Sequence, residues 1–290
     1  MTAPTAPAVP AIITEPCLVD GMPEDLYHLD PVAEGSISST GVKEILRTPA
    51  HFAWYREHGR PDKTDFELGR VFHSIVLGTG AEYVPLPFDA WTTKDAKAAR
   101  AQALQAGLTP LKTSEWAQVQ AMVAGFRASP LSALLDGGIA ERSMFWRDEE
   151  TGVWCRGRLD LSNKATIVDL KTSKNASKEA FRRDAANYGY HDQYALYLRG
   201  VRALRAQLGI DDDVEPEFIH LVVEKTPPYL TAAYEFDRLA CEVGDARVTK
   251  ALKTFRDCQA TGLWPGYPVD IQPLSLPSYA TWIPDEDYDL

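Results

Sequence analysis

Cysteine is scarce in this chain and poorly placed for shared chemistry. The four in 290 residues, Cys17, Cys155, Cys241 and Cys258, form no C-x-x-C pair. That spacing offers no zinc site, gives no support to an iron–sulfur cluster, and suits reduced thiols better than a disulfide framework. No run of about 18 apolar residues exists to span a bilayer. No Lys or Arg precedes Lys43, so the basic start of a secretory signal is missing and a soluble, cytoplasmic protein is expected. Internal repeats are absent. Positive charge is also in short supply: 30 Lys and Arg face 41 Asp and Glu, a net charge of -11. Such a surface does not attract polyanions in bulk, so an anionic partner would have to meet basic residues gathered locally.

What is present is an ordinary globular composition, 45% hydrophobic and 24% charged, long enough for one large core or two small ones. Residues 1–25 are Pro- and Ala-rich and are expected to be disordered, with order beginning near Tyr27. Residues 26–264 read as a single domain, and residues 265–290 as a Pro-rich, acidic tail. In GSISSTGVKEILRTPAHF, one of Ser38, Ser39 or Thr40 caps a helix, and Thr48-Pro49 interrupts it. Lys43, Arg47 and Arg56 there read equally as a basic contact edge or as solvated charges on a packing helix. A helical run follows around Leu68–Val76, carrying Gly69 and His73, and residues 80–92 look irregular. Two more helices are predicted near Lys94–Ala106 and Ser114–Ala128.

From Glu141 the hydrophobic period changes from helical to alternating. Strands are predicted at Ser143–Arg147, Val153–Leu161 and Ala165–Leu170, then a helix over Lys178–Leu208. Strands at Phe218–Glu224 and Thr231–Phe236 and a helix over Arg238–Thr261 complete the domain. The order predicts an α/β fold, a mixed central sheet flanked by helices with an N-terminal helical portion. Within it, Ser162-Asn163-Lys164 is short enough for a hairpin that brings Asp160 beside Asp169. Alternation sends Asp169 and Lys171 to one side and Leu170 into the core. Two acids beside a lysine suit a hard divalent cation plus an ammonium for phosphate charge; alone, D-x-K would more often be a solvated surface pair. Gln193 and Tyr197, four apart, share a helix face that can overlook the two acids.

The ordered set Gly69-x-x-x-His73, Asp160, Asp169-x-Lys171 and Gln193-x-x-x-Tyr197 resembles the PD-(D/E)XK nucleases. More narrowly it is similar to the branch with the RecB nuclease signature, which SISSTGVKEILRTPAHF also resembles. ERSMFWRDEETGVWCRGRLD and VEKTPPY look like the phage-type exodeoxyribonuclease VIII (RecE) group. The likeness covers roughly residues 35–262; the first acid follows Arg-Leu rather than Pro, a departure that this superfamily tolerates.

The resemblance implies the PD-(D/E)XK fold and a metal-dependent exonuclease, working 5′→3′ on linear double-stranded DNA ends. It implies Mg²⁺, with Mn²⁺ able to substitute, held by His73, Asp160, Asp169 and the Leu170 carbonyl. Lys171 would orient or activate water, and Gln193 and Tyr197 would position the scissile strand or a water. Thr172 and Ser173 would contact phosphate, and Glu141 falls near an acidic position used for a second metal. A homo-oligomeric ring around duplex DNA, a single-strand annealing recombinase as partner, and a phage or prophage origin are implied in the same way. A non-catalytic DNA-end-binding protein and an endonuclease of the same fold stand as alternatives.

Overall fold

The computed structural model describes residues 12–59, 67–210, 214–277 and 280. In chain order these form β1 (Cys17–Val19), α1 (Glu24–His28), α2 (Ser39–Arg47), α3 (Pro49–His58), α4 (Glu67–Leu77), β2 (Tyr83–Pro85), α5 (Lys94–Gln105), β3 (Thr109–Leu111) and α6 (Thr113–Ala128). The second half adds β4 (Ile139–Arg147), β5 (Trp154–Ser162), β6 (Thr166–Ser173), α7 (Lys178–Tyr188), α8 (Tyr190–Leu208), β7 (Glu217–Glu224), β8 (Thr231–Tyr234) and α9 (Arg238–Thr261).

Local chemistry accounts for the boundaries. Ser38 caps α2 by accepting the Gly41 amide at 3.2 Å, and Thr48 followed by Pro at the first helical position starts α3. Between β5 and β6 the Asn163 side chain accepts the amides of Ala165 and Thr166, both at 2.8 Å, which closes the expected hairpin. The sheet has six strands in the order β1-β4-β5-β6-β7-β8. Among the described strands of this sheet, only β6 and β7 run parallel, because the α7–α8 crossover returns the chain to the same end of the sheet.

The sheet separates two cores. On one face Val42, Ile45, Leu196, Leu204, Val248, Leu252 and Phe255 pack against Met144, Trp146, Leu159, Ile167 and Phe218. On the other, Val71, Phe72, Met122 and Phe126 cover Leu161, Val168, Leu170, Leu221 and Val223. Period-2 alternation along β6 divides Ile167 from Val168 between them. Among the described residues, no helix is long and apolar enough to cross a membrane.

Three expectations are corrected. Residues 12–25 are not loose: Ile13, Val19 and Met22 are buried with Phe145 and Trp154, and β1 pairs with β4. Residues 1–11 and 281–290, expected to be disordered or tail, lie outside the described residues. The long helix is two, broken at Gly189, whose φ of 63° and ψ of 44° are left-handed values that suit glycine. Residues 83–85, expected irregular, form β2, parallel to β3.

α8 and α9 approach so closely at Gly244 that an added Cβ would stand 2.2 Å from the His191 carbonyl oxygen. Replacing a mid-helix glycine by alanine ordinarily stabilises by about 0.5–1 kcal/mol. Here the clash is with backbone, and overpacking of about 1–3 kcal/mol is the larger effect. Gly244→Ala is therefore expected to lower unfolding free energy in urea by about 1–2 kcal/mol, and an unchanged or raised midpoint would contradict the packing described.

Candidate active site

The site lies where the sheet's ladders open. β5 and β6 pair only at Leu161↔Val168 and Ser162↔Ile167. The next rung in that register sets Asp160 against Asp169, and there the strands part. β4 and β5 pair at Ala140↔Leu161 and at Arg142↔Leu159, and the rung between them, Glu141 against Asp160, is likewise interrupted. Glu141 has φ of 51°, a left-handed conformation that costs a non-glycine residue energy and often marks functional positions. Glu141, Asp160 and Asp169 thus form one row across three strands. On β7 the row continues with His220, directly paired with Asp169. In place of the missing rung, Asp160 Oδ2 accepts the Leu170 amide at 2.8 Å.

Charge in this row is unevenly compensated. Asp169 is buried. Its Oδ1 accepts from Lys171 Nζ at 2.6 Å and Gln193 Nε2 at 2.9 Å, and its Oδ2 bonds His220 Nδ1 at 2.8 Å. Burial alone raises its pKa, but the Lys171 charge and the His220 bond outweigh burial and hold the carboxyl far below the usual range. Asp160 has no cation bonded to it, and Lys171 offsets it only in part. Burial, then the charge of Asp169, push it up to about 8. Burial also raises Glu141, against the opposing pull of Arg158, whose Nη1 lies 3.8 Å away. His73 on α4 stands with Nδ1 4.0 Å from Asp160 Oδ2. Burial and then Lys171 depress His73 to about 4, leaving a neutral imidazole at neutral pH. Lys171 loses stability as a cation through burial, yet Asp169 and Asp160 more than restore it and raise its pKa.

The structure therefore gathers Asp160, Asp169, Lys171, the Leu170 backbone, His73 and Gln193, with Glu141 at the end of the row. Leu170 is fully buried, and an added Cβ on Gly69 would meet Thr172 Oγ1 at 2.8 Å, so α4 sits close against β6. Of the remaining expected residues, Thr172 and Ser173 are otherwise engaged, and Tyr197 is packed inward. Tyr197 is 6% exposed, and burial, then the charges of Asp169 and Asp160, push its hydroxyl up to about 12. Its ring lies against Gly157, whose added Cβ would be 2.8 Å from Tyr197 Cε1. Ser173 Oγ donates to Asp184 Oδ2 at 3.0 Å and accepts the Asn175 amide at 3.3 Å, which shapes the loop before α7. Thr172 faces α4.

His220 is the residue that the sequence pattern did not single out. A lone histidine in the apolar run FIHLVV reads as core, and it is fully buried, boxed by Phe181, Tyr190, Phe218 and Phe236. Its Nδ1 nevertheless fixes Asp169, while its Nε2 has no partner.

Two carboxylates, a neutral imidazole and a backbone carbonyl make a donor set that suits a hard divalent cation. Asp160 holds a proton toward neutral pH because burial and the Asp169 charge outweigh Lys171 and the Leu170 amide, and a cation would displace that proton. The residues fit the ion, although among the described residues no three His, Cys, Asp or Glu side chains already form a metal-holding group. Both Asp169 oxygens are committed to Lys171, Gln193 and His220.

Comparison with known proteins supplies a family and a fold. The family described as a PDDEXK-like domain of unknown function (DUF3799) matches residues 38–274, and the chain belongs to it. A crystal structure of a "putative exonuclease" from Eubacterium rectale superposes with a TM-score of 0.56 at 14% identity, covering 91% of this chain and 100% of that one. At that identity the likeness shows the shared fold alone; the PD-(D/E)XK assignment rests on the family match. No curated protein matches the sequence.

Replacing His220 by phenylalanine keeps the volume of the aromatic box but removes the donor to a buried carboxylate. An unsatisfied buried acceptor costs about 1–3 kcal/mol, more when charged. His220→Phe is expected to destabilise the metal-free protein by at least that amount in urea unfolding, despite its added hydrophobicity; a stabilised variant would refute the role given to Nδ1.

Proposed function

We propose that this PDDEXK-like family member is a divalent-metal-dependent deoxyribonuclease. In its finer form it is an exonuclease that works 5′→3′ on linear double-stranded DNA ends. The observation that carries the reading is the row Glu141, Asp160, Asp169, with Lys171 beside it, at the point where both ladders open. Acid residues buried side by side destabilise a fold, and a cation that serves catalysis is the compensation they await.

Asp160, Asp169, the Leu170 carbonyl and His73 would hold the ion, Mg²⁺ by its preference for hard oxygen donors or Mn²⁺ in its place. When bound, the cation supplies positive charge for the phosphoryl oxygens and makes water a stronger acid. Lys171 presents an ammonium beside the same carboxylates, placed to orient a water and to offset charge that grows on the phosphate. Gln193 holds Asp169 Oδ1 in place, and Glu141 stands where a second ion would meet the row. Nothing in this constellation reads bases, so substrate choice rests on how DNA reaches it.

With a net charge of -11, duplex binding requires basic residues collected in one place. A homo-oligomeric ring that lines its channel with them is the arrangement we propose, and a single-strand annealing recombinase would take up the strand left behind. The DNA-end-binding and endonuclease alternatives are decided by the same assay.

Linear 5′-phosphorylated duplex and covalently closed circles, each with Mg²⁺ or EDTA, separate these readings. We expect loss of linear DNA only, dependent on Mg²⁺, and a fall of about a hundredfold or more in rate for Lys171→Ala with circular dichroism unchanged. Cutting of circles would favour an endonuclease, and binding without shortening would leave an end-binding protein.

A further inference from the structure

The junction of α7 and α8 leads from the acid row to the surface through a run of stacked rings. His220, bonded to Asp169, lies 6.0 Å from the Tyr190 ring at an interplanar angle of 28°. Tyr190 in turn stacks on Tyr188, with centroids 5.8 Å apart and planes at 27°. Residues two apart on a helix do not face each other. They meet here because Gly189 turns the chain through a left-handed conformation between the two helices. Cations flank the same rings: Lys171 Nζ stands 4.9 Å and Lys43 Nζ 5.8 Å from the Tyr190 centroid. The inner tyrosine is partly buried, and burial pushes its hydroxyl up to about 12, so it stays neutral beside a phosphate. The outer ring, Tyr188, is 49% exposed.

An open aromatic face, backed by a second ring that two lysines flank, has the makeup of a nucleobase platform. Stacking accepts any base because every base has a π-face, while lysines hold the backbone. The alternative, a tyrosine exposed by chance at a helix end, does not account for the second ring stacked behind it, whose own neighbour is Lys171. We infer that Tyr188 is a substrate-positioning residue that stacks on an unpaired base adjoining the phosphate faced by Lys171. This rests on the nuclease reading above and adds to it: the strand enters with a base unstacked from its duplex neighbour, so frayed or single-stranded ends are taken more readily than intact duplex.

The test uses the full chain and a 5′-phosphorylated duplex carrying 2-aminopurine at one of its last three nucleotides, in EDTA or with Ca²⁺ in place of Mg²⁺ to withhold cleavage. Binding is read by anisotropy and stacking by quenching of the 2-aminopurine. Wild type should quench several-fold at one position. Tyr188→Ala should lose the quench and bind about tenfold more weakly, and Tyr188→Trp should restore both. On DNA lacking that base, wild type and Tyr188→Ala should bind alike, which a purely structural role for the ring would not produce. Unaltered quenching in Tyr188→Ala, or an equal loss of affinity for intact and abasic DNA, would overturn the assignment. If wild type cleaves linear DNA with Mg²⁺ and yet Tyr188→Ala keeps its quench, this inference alone fails. If wild type neither binds nor cleaves, the nuclease reading fails with it.

Discussion

Two carboxylates that face each other across an unpaired rung set the terms for the rest of this structure. Asp160 and Asp169 would form an ordinary antiparallel pair if β5 and β6 continued their ladder, but the pairing stops one rung short. Because like charges at that range cannot both ionise without compensation, the surroundings treat the two acids differently. Asp169 receives a lysine, an amide and an imidazole and is kept ionised; Asp160 receives one backbone amide and is raised to about 8. The difference leaves one buried negative site answered from within the chain and one that awaits a cation.

The elements around the row follow from that requirement. α4 delivers His73 above Asp160, and the glycine four residues earlier lets that helix press on Thr172. The α7–α8 crossover makes β7 parallel to β6 and so sets His220 in register with Asp169, while α8 lowers Gln193 onto the same oxygen that Lys171 holds. The two cores on either face of the sheet fix these helices, so the polar row is held between packed layers and not on a mobile loop.

Much of this was legible in the sequence because it depends on short-range rules. A three-residue link after β5 and a period of two were enough to place Asp160 beside Asp169, to turn Lys171 to the same side and to send Leu170 inward. What could not be read arises from long-range pairing. His220 is 51 positions from Asp169 and looks like any polar residue caught in an apolar strand, since the parallel register that joins them is made by the crossover. The burial of Ile13, Val19 and Met22 comes from Phe145 and Trp154, more than a hundred residues away, and a Pro-rich composition hid it. Gly189 gave only a weak signal because the helical period continues on both sides. Tyr197 shares a helix with Gln193, and its ring packs into the core over Gly157 while its hydroxyl still feels the charges of Asp169 and Asp160.

The claim that Asp160 and Asp169 together hold a divalent ion is tested most directly by crystals grown with Mn²⁺, whose anomalous scattering locates the ion without reference to activity. The account predicts a peak coordinated by both carboxylates and the Leu170 carbonyl, with Lys171 displaced from Asp169 Oδ1 and the peak lost in Asp160→Asn. A well-ordered site with Lys171 still bonded to Asp169 and no manganese between the two acids at millimolar concentrations would contradict it.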